Sequence, residues 1–480
     1  MNRILLLLLF IVATFQAAAQ NIRVDAIRNP DRPLVIENTA TGKTLFFFYP
    51  EDFRNNRNYP CQAYECDSRS LQVLRTSPEL AMQVSGATDA TVRLLCRTTR
   101  GDDYYFATEN ADKCRLYRVT GSSLTLEKVD SFRIMPGERL VRGVSDGPNA
   151  YILCTREKKR NKALVVYSIS AEGRLQAHLI PKPSKQDASI DDVFRNNFQP
   201  LPMESGMEQD PKQAAAPVKM FAGTEKLYVV FDDAALGSDN TGTIAAILKV
   251  LIVDLRADSM YLSRHHYADH VTFNPVEEGR CSYIFENRLF QLYFNADEFV
   301  LRVRDLETGQ SLFSRTLHWA DSLKSVVNSP LLVPGQGIFG IEKEYTDLRS
   351  FLRRFARFRP FLQVRRSGDH WVMSAGGYDE KNLSIPVGAV GIAPGLSVGL
   401  AIDISYERTF NFYTALDAAS LNLAPVFYEK PLLEVYSEAL KAVEHPRDHS
   451  LYRIGGRFYL GYFDKKQSQY RFEALQLDSR

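Results

Sequence analysis

The chain has 480 residues, with 59 Lys and Arg against 57 Asp and Glu and a hydrophobic fraction of 45%. This is the composition of a globular protein with a large core, and the balanced charge excludes the strongly basic composition that is typical of nucleic-acid-binding proteins. We therefore predict no nucleic-acid partner. Short runs rich in Tyr, Phe, Val and Leu alternate with polar turns along the chain, and long helical periodicity is scarce, which indicates an all-β protein.

Residues 1–19 have the pattern of a removable signal peptide. Arg3 precedes an apolar run from Ile4 to Phe15, and the small residues Ala17 to Ala19 follow it. Cleavage after this stretch would leave Gln20 at the N-terminus, with no Cys there to carry a lipid. We expect an exported protein, periplasmic or extracellular. A retained N-terminal anchor is the alternative, although the run is short for one.

A strand-turn-strand pattern then repeats along residues 20–480. Three strands, Asp103 to Thr108, Cys114 to Val119 and Leu124 to Val129, recur from Ala150 onward at a spacing of about 46 residues, which fits one four-stranded blade. The pattern predicts a single β-propeller domain of about seven blades with a few inserted helices. Two β-sandwiches in tandem are the alternative fold.

Two features near the N-terminus carry further predictions. The run Val35 to Phe48 has a Thr-Gly turn between apolar strands, so we expect this hairpin near Gly42 to join the last blade and close the ring. Cys61 and Cys66 lie close together in a polar segment, whereas other cysteines fall within apolar strands. They are therefore the candidates for a local disulfide.

Residues 181–217 interrupt the repeat. They are rich in Pro, Gln, Asp and Ser and poor in large apolar residues, so we expect a flexible insertion that forms a long mobile surface loop. The acidic loop that follows offers oxygen ligands for calcium from Asp232, Asp233, Asp239 and Asn240, but it lacks an EF-hand register and is interpreted as a solvated turn.

Two motifs in the middle of the chain resemble ligand sites. His265, His266 and His270 form a histidine cluster, but a strand would place only two of them on one face, so we predict no metal site. Gly335 to Gly340 reads G-x-G-x-x-G, yet no alternation of strands and helices surrounds it. We interpret it as a connection between blades and predict no cofactor.

Residues 342–366 form a second insertion and contain a basic amphipathic helix from Tyr345 to Arg359. Its apolar residues, among them Phe351 and Phe355, share one face at helical spacing. The opposite face carries four arginines, the candidate contacts to a partner or lipid: Arg349, Arg353, Arg354 and Arg357. Packing on the ring with the arginines in water is one interpretation. Contact with an acidic partner or the surface of an anionic membrane is the other.

The last part of the chain contains three more features. Gly376 and Gly377, followed by Tyr-Asp, resemble one blade of the Kelch propellers, but other repeats lack the Gly pair, so the resemblance covers one blade and names no family. Gly395 to Gly399 matches a nucleophile elbow, but a strand pattern follows its Ser where a helix is required, so Leu383 to Ile404 is predicted to be a hairpin. Pro431 to His445 has the pattern of a helix.

Two functions stay open at this point. The first is a non-catalytic binding module for a protein, a glycan or an envelope component. The second is a propeller-type glycan hydrolase or lyase, whose carboxylates would come from different blades and leave no local motif. The charged residues around the central channel discriminate between them. The sequence gives no prediction of the oligomeric state.

Overall fold

The structure is a computed structural model. It describes residues 20–23, 27, 32–50, 58–83, 93–110, 112–158, 161–183, 188–204, 209–232, 247–267, 278–322, 327, 332–333, 343–393, 396–424, 432–443 and 447–477. Within them, seven antiparallel sheets follow one another along the chain as the blades of a β-propeller. The predicted all-β propeller of seven blades is confirmed.

The first half of the ring contains three blades, numbered in chain order after the short strand β1 (Gln20–Arg23). Blade 1 contains β2 (Leu34–Asn38), β3 (Lys43–Phe48), β4 (Asn58–Asp67) and β5 (Val73–Thr76), with β6 (Leu80–Gln83) paired to β4. Blade 2 contains β7 (Arg93–Arg100), β8 (Asp103–Asn110), β9 (Lys113–Val119) and β10 (Leu126–Arg133). Blade 3 contains β11 (Glu138–Asp146), β12 (Asn149–Lys158), β13 (Asn161–Ile169) and β14 (Leu175–Pro181).

Two helices lie in the connection between blades 3 and 4: α1 (Ala188–Asp192) and α2 (Pro211–Ala214). Blade 4 contains β15 (Leu201–Pro202), β16 (Val218–Gly223), β17 (Lys226–Phe231), β18 (Ile247–Asp254) and β19 (Ser259–His266). Blade 5 contains β20 (Gly279–Phe285), β21 (Arg288–Phe294), β22 (Glu298–Asp305) and β23 (Ser311–His318). A separate two-stranded ladder follows, made of β24 (Leu332–Val333) and β25 (Lys343–Glu344).

The helix α3 (Leu348–Phe355) leads into blade 6, and α4 (Leu432–Ala442) lies between blades 6 and 7. Blade 6 contains β26 (Arg359–Ser367), β27 (His370–Ala393) and β28 (Leu396–Asp417). Blade 7 contains β29 (Arg447–Ile454), β30 (Arg457–Asp464) and β31 (Gln469–Ala474). The helix predicted from Pro431 to His445 is found as α4. No helix in the described part of the chain is both long and apolar enough to cross a bilayer.

The ring closes through β1 rather than through the hairpin near Gly42. β1 pairs antiparallel with β31, from Gln20 opposite Phe472 to Arg23 opposite Gln469, and so forms the outer strand of blade 7. The hairpin of β2 and β3 belongs to blade 1, where β3 pairs with β4. The predicted closure was wrong because the same turn type joins strands inside an ordinary blade, so it does not mark the closing one.

The segment 181–217 differs from its predicted form. Its described residues form α1, β15 and α2, and Phe194, Phe198 and Met203 are buried, with Met203 fully so. Residues 184–187 and 205–208 lie outside the described residues. The prediction of a mobile surface loop was wrong for the rest, because a few well-spaced apolar side chains are enough to join the segment to the core.

The predicted disulfide between Cys61 and Cys66 is not formed. Both residues lie on β4, five positions apart, so their side chains leave opposite faces of one extended strand. Each thiol is free and buried, and burial raises the pKa of both to about 12. They behave as small core residues.

Helix α3 is held by an aromatic cluster between blades 5 and 6. The ring of Phe355 is stacked on Phe294 at 3.8 Å between centroids and meets Phe410 edge-on at 5.1 Å. A Cβ on Gly376 would lie 1.9 Å from the carbonyl oxygen of Phe410, so the strands of blade 6 approach too closely there for any side chain. The Gly pair of the Kelch-like blade therefore has a packing role.

The strands β27 and β28 form a hairpin that is much longer than the blade. β26 pairs with β27 only from His370 to Tyr378, whereas β27 and β28 stay paired from His370 opposite Asp417 to Ala393 opposite Leu396. The predicted hairpin insertion from Leu383 to Ile404 is confirmed.

Candidate functional site at the propeller axis

The inner strands of the blades surround the central axis and place their carboxyl ends at the same mouth of the ring. These inner strands are β2, β7, β11, β16, β20, β26 and β29. Each is the inner edge strand of its sheet, except that in blade 4 the short strand β15 pairs with the inner side of β16. Side chains from blades that are not neighbours can contact each other only near this axis. Such contacts therefore identify the residues that fill or line the channel.

One chain segment fills part of the channel. We define the axial segment as residues 201–204 and 209–210. Its strand β15 pairs parallel with the inner strand of blade 4, with Leu201 opposite Lys219, and the Met203 N–H donates to the carbonyl oxygen of Met220 at 2.8 Å. The axial segment thus lies on the channel side of blade 4.

The axial segment also contacts three other blades. The carboxylate of Glu204 forms an ion pair with Arg97 of blade 2 at 2.7 Å, and the Tyr283 hydroxyl of blade 5 donates to the Glu204 carbonyl oxygen at 2.9 Å. In blade 6, the Gln363 amide donates to the carbonyl oxygen of Gln209 at 2.9 Å and accepts from its N–H. These bonds fix the segment across the channel and use polar groups of four blades.

A cluster of ionisable side chains lies at the carboxyl ends of the inner strands. We name it the axial cluster: Glu37 of blade 1, Asp146 of blade 3, Tyr283 of blade 5, Arg365 of blade 6 and Arg453 of blade 7. Tyr283 and Arg365 are buried, and the other three side chains are half-buried. The cluster therefore has a buried base and a mouth that solvent reaches.

The charges of the axial cluster act on Arg453. Burial lowers the pKa of Arg453 below its usual value, the carboxylates of Glu37 and Asp146 oppose this shift, and the guanidinium of Arg365 adds to it. Blades 3 and 7 are not neighbours in the ring, so Arg453 and Asp146 can interact only across the axis.

Glu37 has the most distinctive protonation behaviour in the axial cluster. Burial raises its pKa above the usual value, while an N–H donated by Gly455 at 3.0 Å and the charge of Arg453 act in the opposite direction. A carboxyl group of raised pKa beside a guanidinium can bind a ligand in either protonation state. It also has the chemistry of a general acid.

The four arginines predicted as contact residues lie elsewhere, on helix α3 and the turn after it. Arg349, Arg353 and Arg357 are exposed as predicted. Arg354 is buried, 5.3 Å from the ring centroid of Phe358, so its predicted outward position was wrong. Burial, together with the charge of Arg408, lowers the pKa of Arg354. Helix α3 enters β26 at its start, whereas Arg365 lies near its end, so the arginines are not part of the axial cluster.

The other sequence motifs contribute nothing to the axis. His265 is buried and His266 is exposed on β19, while His270 lies outside the described residues. Among the described residues, no group of three or more His, Cys, Asp or Glu could hold a metal ion. Gly335 to Gly340 also lies outside them, and Ser397 falls within the strand β28 rather than in an elbow before a helix.

Asp232, from the acidic stretch considered for calcium, is instead part of a buried ion pair. The Lys219 ammonium is fully buried and lies 2.6 Å from the Asp232 carboxylate. Asp233 and Asp239 lie outside the described residues.

No protein-family model matches the chain, and no curated protein matches its sequence. Solved structures with a similar fold include the Dos1 propeller, with 10% identity, 96% of this chain and 97% of that chain covered and a TM-score of 0.34. The WD40 domain of SCAP from fission yeast has 7% identity, coverage of 96% and 99% and a TM-score of 0.30. The Trypanosoma rangeli sialidase has 7% identity, coverage of 96% and 58% and a TM-score of 0.29. These likenesses concern the propeller fold alone.

Proposed function

We propose that the protein is an exported binding module that takes a polar, carboxylate-bearing ligand at the mouth of the axial cluster. The observation that supports this best is the axial segment, which crosses the channel and bonds to blades 2, 4, 5 and 6. A channel filled by the protein's own chain leaves the mouth as the place where a ligand can meet side chains from several blades.

The chemistry of the mouth favours a ligand with a carboxylate. Arg453 is half-buried and has no ion-pair partner within 4 Å among the described residues. A guanidinium presents donors in a fixed fork that matches a carboxylate.

Calorimetric titration with two probes, an oligogalacturonate and an acidic peptide, tests the proposal and distinguishes a glycan from a protein ligand. We expect saturable binding of one probe that is lost in Arg453→Gln and kept in the control Arg256→Gln, which changes an exposed turn of blade 4. Binding that is unchanged in Arg453→Gln, or no binding of either probe, would count against the proposal.

A glycan hydrolase or lyase at the same mouth is the second candidate, because the pKa of Glu37 is raised and the charges of Glu37 and Asp146 both act on Arg453. Release of reducing ends from acidic and neutral polysaccharides tests it. Turnover that disappears in Glu37→Gln would assign the enzyme, whereas ligand binding without turnover in the unchanged protein would assign the module.

Export is a proposal that depends on residues 1–19 alone. N-terminal sequencing of the protein from the culture medium and the periplasm tests it. A first residue at or near Gln20 is expected, and a first residue of Met1 would contradict it.

A further inference from the structure

We propose that the exposed face of helix α3 and the neighbouring Trp319 form a docking surface for an anionic lipid bilayer. This surface is distinct from the axial cluster, so the proposal goes beyond the proposed function and can fail independently of it. We name it the basic stripe: Arg349, Arg353, Arg357 and Trp319.

Helix α3 and the turn after it position the three arginines of the basic stripe. Arg349 and Arg353 lie four residues apart on α3, so their side chains project from one side of the helix about 6 Å apart, and Arg357 follows in the turn after the helix. Asp347 caps the helix by accepting the Ser350 N–H at 2.8 Å, and the Arg357 N–H continues the last turn by donating to the carbonyl oxygen of Arg354. Three exposed arginines thereby follow one another from the helix into the turn after it.

Their charges are not neutralised within the described part of the protein. Arg353 and Arg357 have no ion pair there, and the one contact of the Arg349 guanidinium is to the ring of Trp319, at 5.5 Å from its centroid. Like charges at this spacing destabilise a helix. The packing of Phe351 and Phe355 offsets that cost, and the stripe is left available to an anionic surface.

Trp319 gives the surface its second component. Its side chain is 52% exposed just after β23, an unusual position for the largest apolar ring in the chain. Trp is enriched at membrane interfaces, where its apolar body and its N–H both find partners. An exposed Trp against an Arg is thus suited to the headgroup layer of a bilayer, with the ring at the acyl boundary and the guanidinium on phosphate.

The long hairpin leaves the blade beside the stripe. Arg359, four residues after the end of α3, is the first residue of β26 and pairs with Tyr378; beyond Tyr378 the hairpin of β27 and β28 continues without β26. Residues 383–402 of that hairpin include no Asp, Glu, Lys or Arg. This uncharged stretch of the hairpin and the basic helix lie at the same end of blade 6, and together they favour a lipid surface over an acidic protein.

Vesicle co-sedimentation tests the proposal with the full chain. The probes are vesicles of phosphatidylcholine alone and of phosphatidylcholine with phosphatidylglycerol. We expect binding to the anionic vesicles only, and loss of binding when salt is raised from 0.1 M to 1 M, which shortens the Debye length from about 10 Å to about 3 Å. Each arginine near an anionic surface contributes about fivefold in affinity, so the triple change R349Q/R353Q/R357Q should weaken binding about a hundredfold.

The matched control R69Q/R256Q/K465Q removes the same net charge from exposed turns of blades 1, 4 and 7, and it should bind as the unchanged protein does. Because these are exposed positions, neither triple variant should melt below the unchanged protein, which verifies that each is folded.

Trp319 provides a direct readout. The chain has two Trp residues, and Trp371 is only 5% exposed, so a blue shift of the emission on adding vesicles reports Trp319 and should vanish in Trp319→Phe. No binding to anionic vesicles at low salt would overturn the proposal, as would equal binding by the two triple variants. A blue shift that grows with protein concentration without lipid would overturn it in favour of self-association.

Discussion

The buried ion pair between blades 4 and 5 allows a prediction in depth. Lys219 lies on the inner strand of blade 4 and is fully buried, with its ammonium 2.6 Å from Asp232 and 3.0 Å from the carbonyl oxygen of Ser282 in blade 5. Asp232 also accepts from the Tyr267 hydroxyl at 2.6 Å and from the N–H of Ser282 at 3.2 Å. The pair therefore links two blades through a network of hydrogen bonds.

Removing Lys219 and removing the charge of Asp232 should lower the free energy of unfolding by different amounts. In Lys219→Met the Asp232 carboxylate keeps its donors from Tyr267 and Ser282, so the loss should be near the lower end of the range for breaking a buried pair, about 3 kcal/mol. In Asp232→Asn the Lys219 ammonium keeps only the Ser282 carbonyl and one amide oxygen, so we expect about 5 kcal/mol.

The double variant K219M/D232N leaves no buried charge. Its loss in the free energy of unfolding should be smaller than the sum of the single losses by at least about 1 kcal/mol, because residues within one network couple. Guanidinium unfolding near pH 7, followed by the fluorescence of the buried Trp371, measures all three variants. Additive losses, or a greater loss in Lys219→Met than in Asp232→Asn, would refute the reasoning.

Three further predictions follow from burial. Burial, aided by nearby positive charges, lowers the pKa of His265 to about 4. Between pH 4 and 6.5 the folded protein therefore binds fewer protons than the unfolded chain. The stability that is present above pH 6.5 is lost as the pH falls toward 4. His265→Gln should reduce that acid-dependent loss by about 3 kcal/mol in unfolding titrations; an unchanged pH profile contradicts this. Phe198→Ala should lower the free energy of unfolding by about 3 kcal/mol, and the exposed control Asn197→Ala by less than about 0.5 kcal/mol. Equal losses in the two variants would mean that this segment is a surface loop that does not pack on the core. Alkylation of the unfolded chain without reductant should modify both Cys61 and Cys66, and protection of the two would contradict free thiols.

The propeller and its inserted helix could be predicted from the sequence because both depend on local periodicity. Strand runs such as Ala150 to Thr155 lie within β12, and the spacing of Phe351 and Phe355 identified α3. The burial of Arg354 could not be predicted, because it depends on Phe358 and on Arg408 from a distant strand.

The axial cluster could not be predicted because its members are distributed one to a blade. Glu37 and Arg453 are brought together only when the ring closes, and neither lies in a motif. The axial segment was missed for a different reason: Phe198 and Met203 are isolated within a polar run, so average composition concealed the side chains that anchor it.

The closure by β1 has a consequence for how the chain reaches its folded state. The outer edge of blade 7 is covered by β1, which precedes blade 1 in the chain, while β31 follows all the other blades. Until β1 pairs with it, β31 presents an open edge that could accept a strand from another molecule. A protein that lost Gln20 to Arg23 would keep this edge permanently, so we expect such a truncated chain to exchange strands and aggregate, although it retains every blade's inner strands.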